Sequence, residues 1–217
     1  YNDTHPLSRA RPCDVSDALS VLAEVKAVIN VTGRVDLLVN NAGISGPTAP
    51  VEAISPEAWQ KTLDIGLTGA FNAARAVIPI MKAQSSGAIV NIASNAGLMG
   101  CPNRSPYVAA KWALIGLTKT WAMELGSYNV RVNALCPASV EGARIDAVIA
   151  RDATARGVSE DAIRSVYERQ SSLRAFTRVE DIAAMVCYLA GDQGIRISGQ
   201  AIGIDGHTET LANYLGP

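Results

Sequence analysis

The strongest constraint on the fold is an alternation of short apolar runs with longer stretches of helical periodicity. Four runs have the length of strands: Asp36–Asn40, Ala88–Ala93, Val130–Leu135 and Gln200–Ile204. Neighbouring parallel strands need a crossover between them, and a helix usually supplies it. The order of the segments therefore predicts βα units and a mostly parallel sheet, which makes this an α/β chain.

Two long helices are expected between the central strands. The first, Pro56–Gln84, has Ser55 as its cap and a proline in its first turn, and the second is Ser105–Gly126. A polar segment with a helical pattern, Ser139–Thr177, follows the third strand, and such insertions often cover a substrate. No repeat or linker divides the chain, so we expect one domain over residues 1–217.

Composition and charge favour a small-molecule partner. Hydrophobic residues make up 48% and charged residues 18% of the 217 residues, which is typical of one well-buried domain. The 19 basic and 20 acidic side chains leave a net charge of −1, which gives no electrostatic footprint for nucleic acid or an anionic membrane. No apolar run approaches the ~20 residues that span a bilayer, and the first residues do not resemble a secretion signal. We expect a cytoplasmic protein without nucleic-acid or membrane partners.

The cysteines and histidines do not have the spacing of a metal site. The four cysteines are far apart and form no CxxC pair: Cys13, Cys101, Cys136 and Cys187. His5 and His207 are too few and too distant from them to complete a set of ligands. We expect reduced thiols, in keeping with a cytoplasmic protein, and no metal.

A tyrosine and a lysine in the second long helix have the spacing of a proton-transfer pair. Tyr107 and Lys111 are four residues apart, so they share one face of the helix. A free tyrosine is a poor base near neutral pH, but a cation a few Å away stabilises its phenolate. Such a pair can exchange a proton with an alcohol or a carbonyl while a hydride moves to or from a cofactor. The alternative is an ordinary solvated pair on a helix surface.

Two further features lie at the ends of predicted strands. Ser94 follows the second strand and precedes Tyr107 by 13 residues, and its hydroxyl is suited to bind the same substrate oxygen. The run Asn40-Asn41-Ala42-Gly43 ends the first strand. Because the carboxyl ends of parallel strands form the ligand crevice of open α/β sheets, these features converge on one edge.

These residues, in this order, resemble the short-chain dehydrogenase/reductase (SDR) family from about Cys13 to Gly206. Asn41-Ala42-Gly43 matches the family's NNAG motif, and Ser94, Tyr107 and Lys111 match its catalytic serine, tyrosine and lysine. The resemblance implies a Rossmann-like, doubly wound parallel sheet with three α/β/α layers. It also implies a homodimer or homotetramer, built through the two long helices.

The resemblance implies a role for each matched residue. Ser94 holds the substrate oxygen, Tyr107 is the acid/base, and Lys111 binds the nicotinamide ribose and lowers the pKa of the tyrosine. The implied activity is an NAD- or NADP-dependent interconversion of a secondary alcohol and a ketone. The residues implied to line the cofactor, besides Tyr107 and Lys111, are Asp14, Val15, Asn41, Ala42, Gly43, Pro137, Ala138 and Val140.

The largest departure from the family lies at the front of the sequence. The Gly-rich TGxxxGxG turn that holds the pyrophosphate does not occur, and the first two strands of the family's sheet are missing, with the residue that selects NAD or NADP. The strand at Leu37–Asn40 then has an open apolar edge. Either the sequence is part of a longer chain, or Tyr1–Cys13 covers this edge.

Smaller departures lie closer to the predicted catalytic residues. Gly66 stands where the family usually has a fourth catalytic residue, Asn, and Ala138 stands where Gly is common. With the missing front, they favour an alternative: a truncated or degenerate scaffold that acts only through oligomer contacts. Asp14 has a second interpretation as a helix cap, and Glu141, Arg144 and Asp146 contact either a polar substrate or only solvent.

Overall fold

A four-stranded parallel sheet forms the centre of the protein. The structure is a computed structural model, and it describes residues 10–211. The strands are β1 (Leu37–Asn40), β2 (Gly87–Ile92), β3 (Val130–Pro137) and β4 (Ala201–Ile204), and they lie side by side in that order. Every neighbouring pair is parallel, with Asn40 opposite Asn91 and Leu135 opposite Ile202. The predicted parallel sheet is confirmed, and β3 runs two residues further than the apolar run suggested.

Helices cover both faces of the sheet. They are α1 (Ala18–Thr32), α2 (Pro56–Leu63), α3 (Gly69–Gln84), α4 (Ser105–Leu125), α5 (Ala143–Arg156), α6 (Glu160–Arg169) and α7 (Val179–Ala190). Helices α3 and α4 pack on one face of the sheet, and α7 packs on the other. This is the predicted Rossmann-like arrangement of three α/β/α layers.

The two sides of the sheet carry separate apolar cores, because alternate residues of a strand point to opposite faces. Ile89 faces α3 and α4, where it packs with Met81 and Trp121. Its neighbour Val90 packs with Leu189 of α7 on the other face. Burial of such side chains contributes roughly 1.5–3 kcal/mol each, so the central strands are held from both sides.

The long helix expected over Pro56–Gln84 is interrupted by one π-helical turn. This turn, Asp64–Thr68, joins α2 to α3, and Gly66 is buried in it. It packs against α4, where a Cβ on Gly66 would lie 3.6 Å from Cβ of Ala110. Single π turns inside helices often mark functional sites, and this one faces the helix that carries Tyr107.

Helix α1 begins at a cap that differs from the predicted one. Asp17 is the N-cap, and its carboxylate accepts a hydrogen bond from the amide of Leu19 at 2.9 Å. Asp14 instead accepts hydrogen bonds from Ser16, at 2.9 Å from its amide and 2.6 Å from its hydroxyl. The interpretation of Asp14 as the helix cap is therefore wrong, because the chain makes one more turn before the helix starts.

The polar segment after β3 forms a pair of helices with a small core of its own. Ile145 and Ile149 of α5 pack against Ile163 of α6. The hairpin joins the end of the sheet through a bridge between Val140 and Thr177. It therefore stands over the carboxyl edge, as a substrate-covering segment would.

The β1 edge of the sheet is open over the described residues. Leu37 and Val39 are 36% and 39% exposed, although both are apolar strand residues. The hypothesis that Tyr1–Cys13 covers this edge concerns residues 1–9, which lie outside the described part. Within residues 10–211, no helix is long and apolar enough to cross a bilayer, and no cluster of acidic, cysteine or histidine side chains could hold a metal ion.

Candidate active site

A buried polar network ties the first two strands to helix α4. Asn40, the last residue of β1, donates from its side-chain amide to Oδ1 of Asn91 at 2.8 Å. Asn91 donates in turn to Oγ1 of Thr118 in α4 at 2.8 Å. Each of the three side chains in this network thus has a hydrogen-bond partner, and the network fixes α4 relative to the carboxyl edge of the sheet.

Tyr107 and Lys111 lie together in the first two turns of α4. The Nζ atom of Lys111 is 5.6 Å from the centroid of the Tyr107 ring. Lys111 is only 6% exposed, and its ammonium donates to the carbonyl oxygen of Ile92 at 2.8 Å. The structure therefore brings the predicted pair together at the end of β2.

The environment of Lys111 disfavours its positive charge. The pKa of Lys111 is lowered to about 8, mainly by burial and also by the nearby charge of Arg144, while Cys136 acts in the opposite direction. Near neutral pH the side chain therefore remains mostly protonated, but burial makes its charged form less favourable than it is in water. Burial also raises the pKa of the Cys136 thiol to about 11, so this thiol stays neutral beside the lysine.

Ser94 is held at the end of β2 by a short turn that packs on α4. Its hydroxyl donates to Oδ1 of Asn95 and accepts from the amide of Ala96, both at 3.2 Å. The turn approaches α4 so closely that a Cβ on Gly97 would lie 2.9 Å from the carbonyl oxygen of Lys111. The absence of a side chain on Gly97 is thus what allows the serine turn to lie against the lysine.

The Asn41-Ala42-Gly43 segment reaches the site only through its glycine. Asn41 and Ala42 are exposed, whereas Gly43 is half-buried and a Cβ on it would lie 3.8 Å from Nζ of Lys111. The side chain that bonds to the central strand is that of Asn40, which directly precedes this segment.

Pro137, Ala138 and Val140 lie at the same carboxyl edge, after β3. Pro137 is buried and pairs with Ile204, and the amide of Ala138 donates to the carbonyl oxygen of Ile204 at 3.1 Å. Ala138 does not adopt a positive φ, so its methyl group causes no backbone strain where the family often has glycine.

Asp14 and Val15 lie beside the start of α3. The carbonyl oxygen of Val15 accepts from the side-chain amide of Asn72 in α3 at 3.0 Å, and its side chain packs closely on Gly69. Asp14 is exposed, and hydrogen bonds from Ser16 lower the pKa of its carboxyl group. Their described contacts are with Ser16 and α3, so the structure does not join them to Tyr107 or Lys111.

The residues around Lys111 fit the nicotinamide end of a dinucleotide. An ammonium has three donors, and the described residues accept from one of them, at Ile92. The remaining donors suit ribose hydroxyls, and Gly43 leaves the approach to Nζ free of a side chain. Lys111 and Tyr107 would hold the ribose, with Pro137 and Ala138 beside the nicotinamide.

Comparison with known proteins identifies the family. Residues 3–207 match a family model described as enoyl-(acyl carrier protein) reductase. The chain is 35% identical over 203 residues to D-beta-hydroxybutyrate dehydrogenase of Rhizobium meliloti, covering 93% of this chain and 76% of that protein. It is 39% identical over 202 residues to trans-4-hydroxycyclohexanecarboxylate dehydrogenase of Sinomonas cyclohexanicum, covering 93% and 71%. The chain belongs to the short-chain dehydrogenase/reductase family.

Solved SDR structures share the fold over most of the chain. NAD+-bound xylitol dehydrogenase superposes with a TM-score of 0.87 at 32% identity, covering 92% of this chain and 78% of that one. ElxO with NADP bound superposes with a TM-score of 0.78 at 30% identity, covering 89% and 75%. The chain is thus an SDR-type NAD(P)-dependent oxidoreductase by family, and its expected fold class is confirmed.

Sequence reasoning missed one charged residue of this SDR site. Arg104 precedes Tyr107 by three residues, and its guanidinium carbon lies 5.0 Å from the centroid of the tyrosine ring. The i,i+3 spacing was a signal for this contact, because such residues share a helix face. Arg144, for which two interpretations stood open, lies in the first turn of α5 and acts electrostatically on Lys111.

Proposed function

We propose that the protein interconverts a secondary alcohol and a ketone with NAD or NADP, and that Tyr107 is its acid/base. The observation that carries this proposal is the buried ammonium of Lys111, 5.6 Å from the tyrosine ring at the carboxyl edge of the sheet. A nicotinamide, when bound, accepts or supplies the hydride. Ser94, held against α4 by its turn, would hydrogen-bond the reacting oxygen of the substrate.

The charge of Lys111 suits proton transfer by the tyrosine. A positive charge in a poorly solvated site acts more strongly on its neighbours than it does in water. Beside this charge, the phenol oxygen of Tyr107 can take a proton from an alcohol and return one to a carbonyl. The serine hydroxyl would keep the substrate oxygen within reach of Tyr107 as the proton moves.

Removal of the phenol oxygen tests the proposal. In Tyr107→Phe we expect ketone-dependent oxidation of NADH or NADPH to fall by about 100-fold or more, since general acid–base catalysis contributes roughly that much. Tyr128→Phe is a matched control, because Tyr128 is 41% exposed and its ring contacts Lys82 instead. Equal background turnover in wild type and Tyr107→Phe would support the alternative, a scaffold without catalysis.

We also propose that the protein is a homo-oligomer, with a second copy of the chain on the outer face of α3 and α4. An apolar groove of about 460 Å³ lies there, lined by Leu67, Thr68, Phe71, Ala113, Gly116 and Leu117. No charged residue lines it, and Phe71 is 46% exposed. Sedimentation should give a dimer or tetramer, which Phe71→Glu should dissociate; a monomeric wild type would contradict the proposal.

We further propose a cytoplasmic location. All four cysteines are free thiols, and Cys13 and Cys187 are exposed. Exposed thiols persist in a reducing compartment. Fractionation of the source cells with an antibody should place the chain in the cytoplasmic fraction, and recovery from an oxidising compartment would refute this location.

A further inference from the structure

The site holds positive charge that the proposed proton transfer does not use. Arg104 stands at the N-cap of α4, and its guanidinium carbon is 5.0 Å from the centroid of the Tyr107 ring. Lys111 approaches the same ring at 5.6 Å. Two cations therefore flank the tyrosine, and the proposed proton transfer uses only the lysine.

Arg104 has a hydrogen-bond donor without an acceptor. Its Nη2 donates to the carbonyl oxygen of Ser45 at 3.0 Å, which anchors the side chain to the loop after β1. Its Nε is buried, and among residues 10–211 it is the single buried side-chain nitrogen or oxygen that has no partner. Buried polar groups are nearly always paired in native proteins, so this guanidinium lacks an acceptor.

A second arginine, exposed on α5, also has no carboxylate partner among the described residues. Arg144 is in the first turn of α5, where the positive end of the helix dipole disfavours a cation. The arginine–carboxylate pairs of the described residues involve other arginines: Arg11, Arg34, Arg156, Arg164 and Arg178. Its charge reaches the site, since it contributes to the lowered pKa of Lys111.

No carboxylate of the described residues forms an ion pair with Arg104, Lys111 or Arg144. Asp205 is the acidic residue that acts electrostatically on Cys136, beside Lys111. Its carboxylate accepts from the amides of His207 and Thr208, at 3.1 and 3.3 Å, and pairs with neither arginine. A crevice lined by charges of one sign concentrates ligands of the opposite sign.

We propose that the substrate of this SDR is a hydroxy acid or its oxo acid, whose carboxylate is bound by Arg104 and attracted by Arg144. This inference rests on the proposed alcohol–ketone chemistry and names its substrate class. A guanidinium offers a planar set of donors that matches the two oxygens of a carboxylate. A carboxylate would then be the common partner of two arginines that form no ion pair within the described residues.

The position of Arg104 limits the length of the acid. Its guanidinium carbon is only 5.0 Å from the ring of the residue that exchanges the proton. A substrate oxygen within hydrogen-bond reach of Tyr107, roughly 2.6–3.2 Å, leaves room for only a few bonds between the reacting carbon and the carboxylate. Short hydroxy acids, such as 2- or 3-hydroxy acids, fit this spacing better than long-chain ones.

Steady-state kinetics with an acid and its ester test the inference. The probes are 3-hydroxybutyrate and ethyl 3-hydroxybutyrate, which share the carbinol but differ in charge. In Arg104→Met we expect kcat/KM for the acid to fall by about 10- to 100-fold, as for loss of a hydrogen bond to a charged group, while the value for the ester changes less than about threefold. Arg104→Lys, which keeps the charge, should recover part of the loss. Arg144→Met should also lower kcat/KM for the acid relative to that for the ester.

The ester is an internal control for folding, and a surface arginine is a control for total charge. Arg151→Met should leave the preference for the acid unchanged, because Arg151 is exposed on α5 and donates to a carbonyl of its own helix. Equal kcat/KM for acid and ester in the wild type, or an equal loss of both in Arg104→Met, would overturn the inference but leave the alcohol–ketone chemistry standing.

Calorimetric titration separates this inference from the proposed function and from a cofactor role. Acetoacetate should bind at least about tenfold more tightly than ethyl acetoacetate, and Arg104→Met should abolish the difference, even if neither is turned over. NADH and NADPH should bind wild type and Arg104→Met alike. Equal binding of acetoacetate and its ester would overturn the inference, and so would a loss of cofactor affinity alone, since the anion would then be a cofactor phosphate.

Discussion

Replacement of Lys111 by methionine should stabilise the fold near neutral pH, although it removes a residue of the site. The side chain is 6% exposed, and burial lowers its pKa from 10.5 to about 8. A lysine in an unfolded chain keeps its usual pKa. Below about pH 8 the charged form is therefore disfavoured in the folded state by about 3 kcal/mol, at about 1.4 kcal/mol for each pH unit between the two pKa values.

The pH dependence follows from the sign of this change. Between about pH 8 and 10.5 the unfolded lysine holds a proton that the folded lysine has lost, so the stability of the wild type rises with pH in this window. Methionine removes the charge, but it also removes the 2.8 Å hydrogen bond to Ile92, which is worth about 1 kcal/mol. Lys111→Met should be more stable by about 2 kcal/mol at pH 7, and the advantage should fall to about 1 kcal/mol at pH 9 and vanish near pH 10.

Urea unfolding of both proteins at several values between pH 7 and 10 measures this difference. Other titrating groups are common to the two proteins and cancel in the comparison. A variant that is less stable than wild type by the same amount at every pH would refute the reasoning, because the charge of the buried lysine would then have no free-energy cost in the folded protein. Alcohol oxidation should be lost in the variant even where its stability is higher.

Two further changes test how the site is held together. Gly97→Ala should destabilise the protein by about 1–3 kcal/mol and lower turnover, because its Cβ would meet the carbonyl oxygen of Lys111 at 2.9 Å and push the Ser94 turn away. Urea unfolding measures the loss of stability. Gly100→Ala is the control: a Cβ there would meet nothing within 4 Å, so both stability and turnover should stay unchanged. Gly66→Asn should raise kcat by up to about tenfold, because the family usually has asparagine at this position. A Cβ on residue 66 would lie 3.6 Å from Cβ of Ala110, which is an ordinary contact and displaces nothing. A folded variant with unchanged or lower kcat would refute this prediction.

The sheet could be predicted from the sequence because its central strands are buried on both faces and read as continuous apolar runs. Helix α1 also has sequence signals, Asp17 as its cap and Gly33 at its end, where φ is 71°, but no helix was predicted there. The π turn at Asp64–Thr68 depends on packing against α4, and local periodicity does not report such contacts.

The site was predicted best where helical spacing determined proximity. Tyr107 and Lys111 had to share a face of α4, and the same logic would have found Arg104. At the end of β1, the side chain of Asn40 is buried and bonded to Asn91, whereas Asn41 is exposed. Successive strand residues face opposite sides, so an error of one residue at a strand end exchanges a buried side chain for an exposed one.

Transfer of deuterium from cofactor to product tests the central claim most directly. The protein would be incubated with NADH or NADPH deuterated at C4 of the nicotinamide and with a short oxo acid, and the product analysed by mass spectrometry. Hydride transfer at the Tyr107 site predicts an alcohol with deuterium on its carbinol carbon, formed by wild type and not by Tyr107→Phe. Cofactor binding without any deuterated alcohol, or the same yield from both proteins, would contradict the claim.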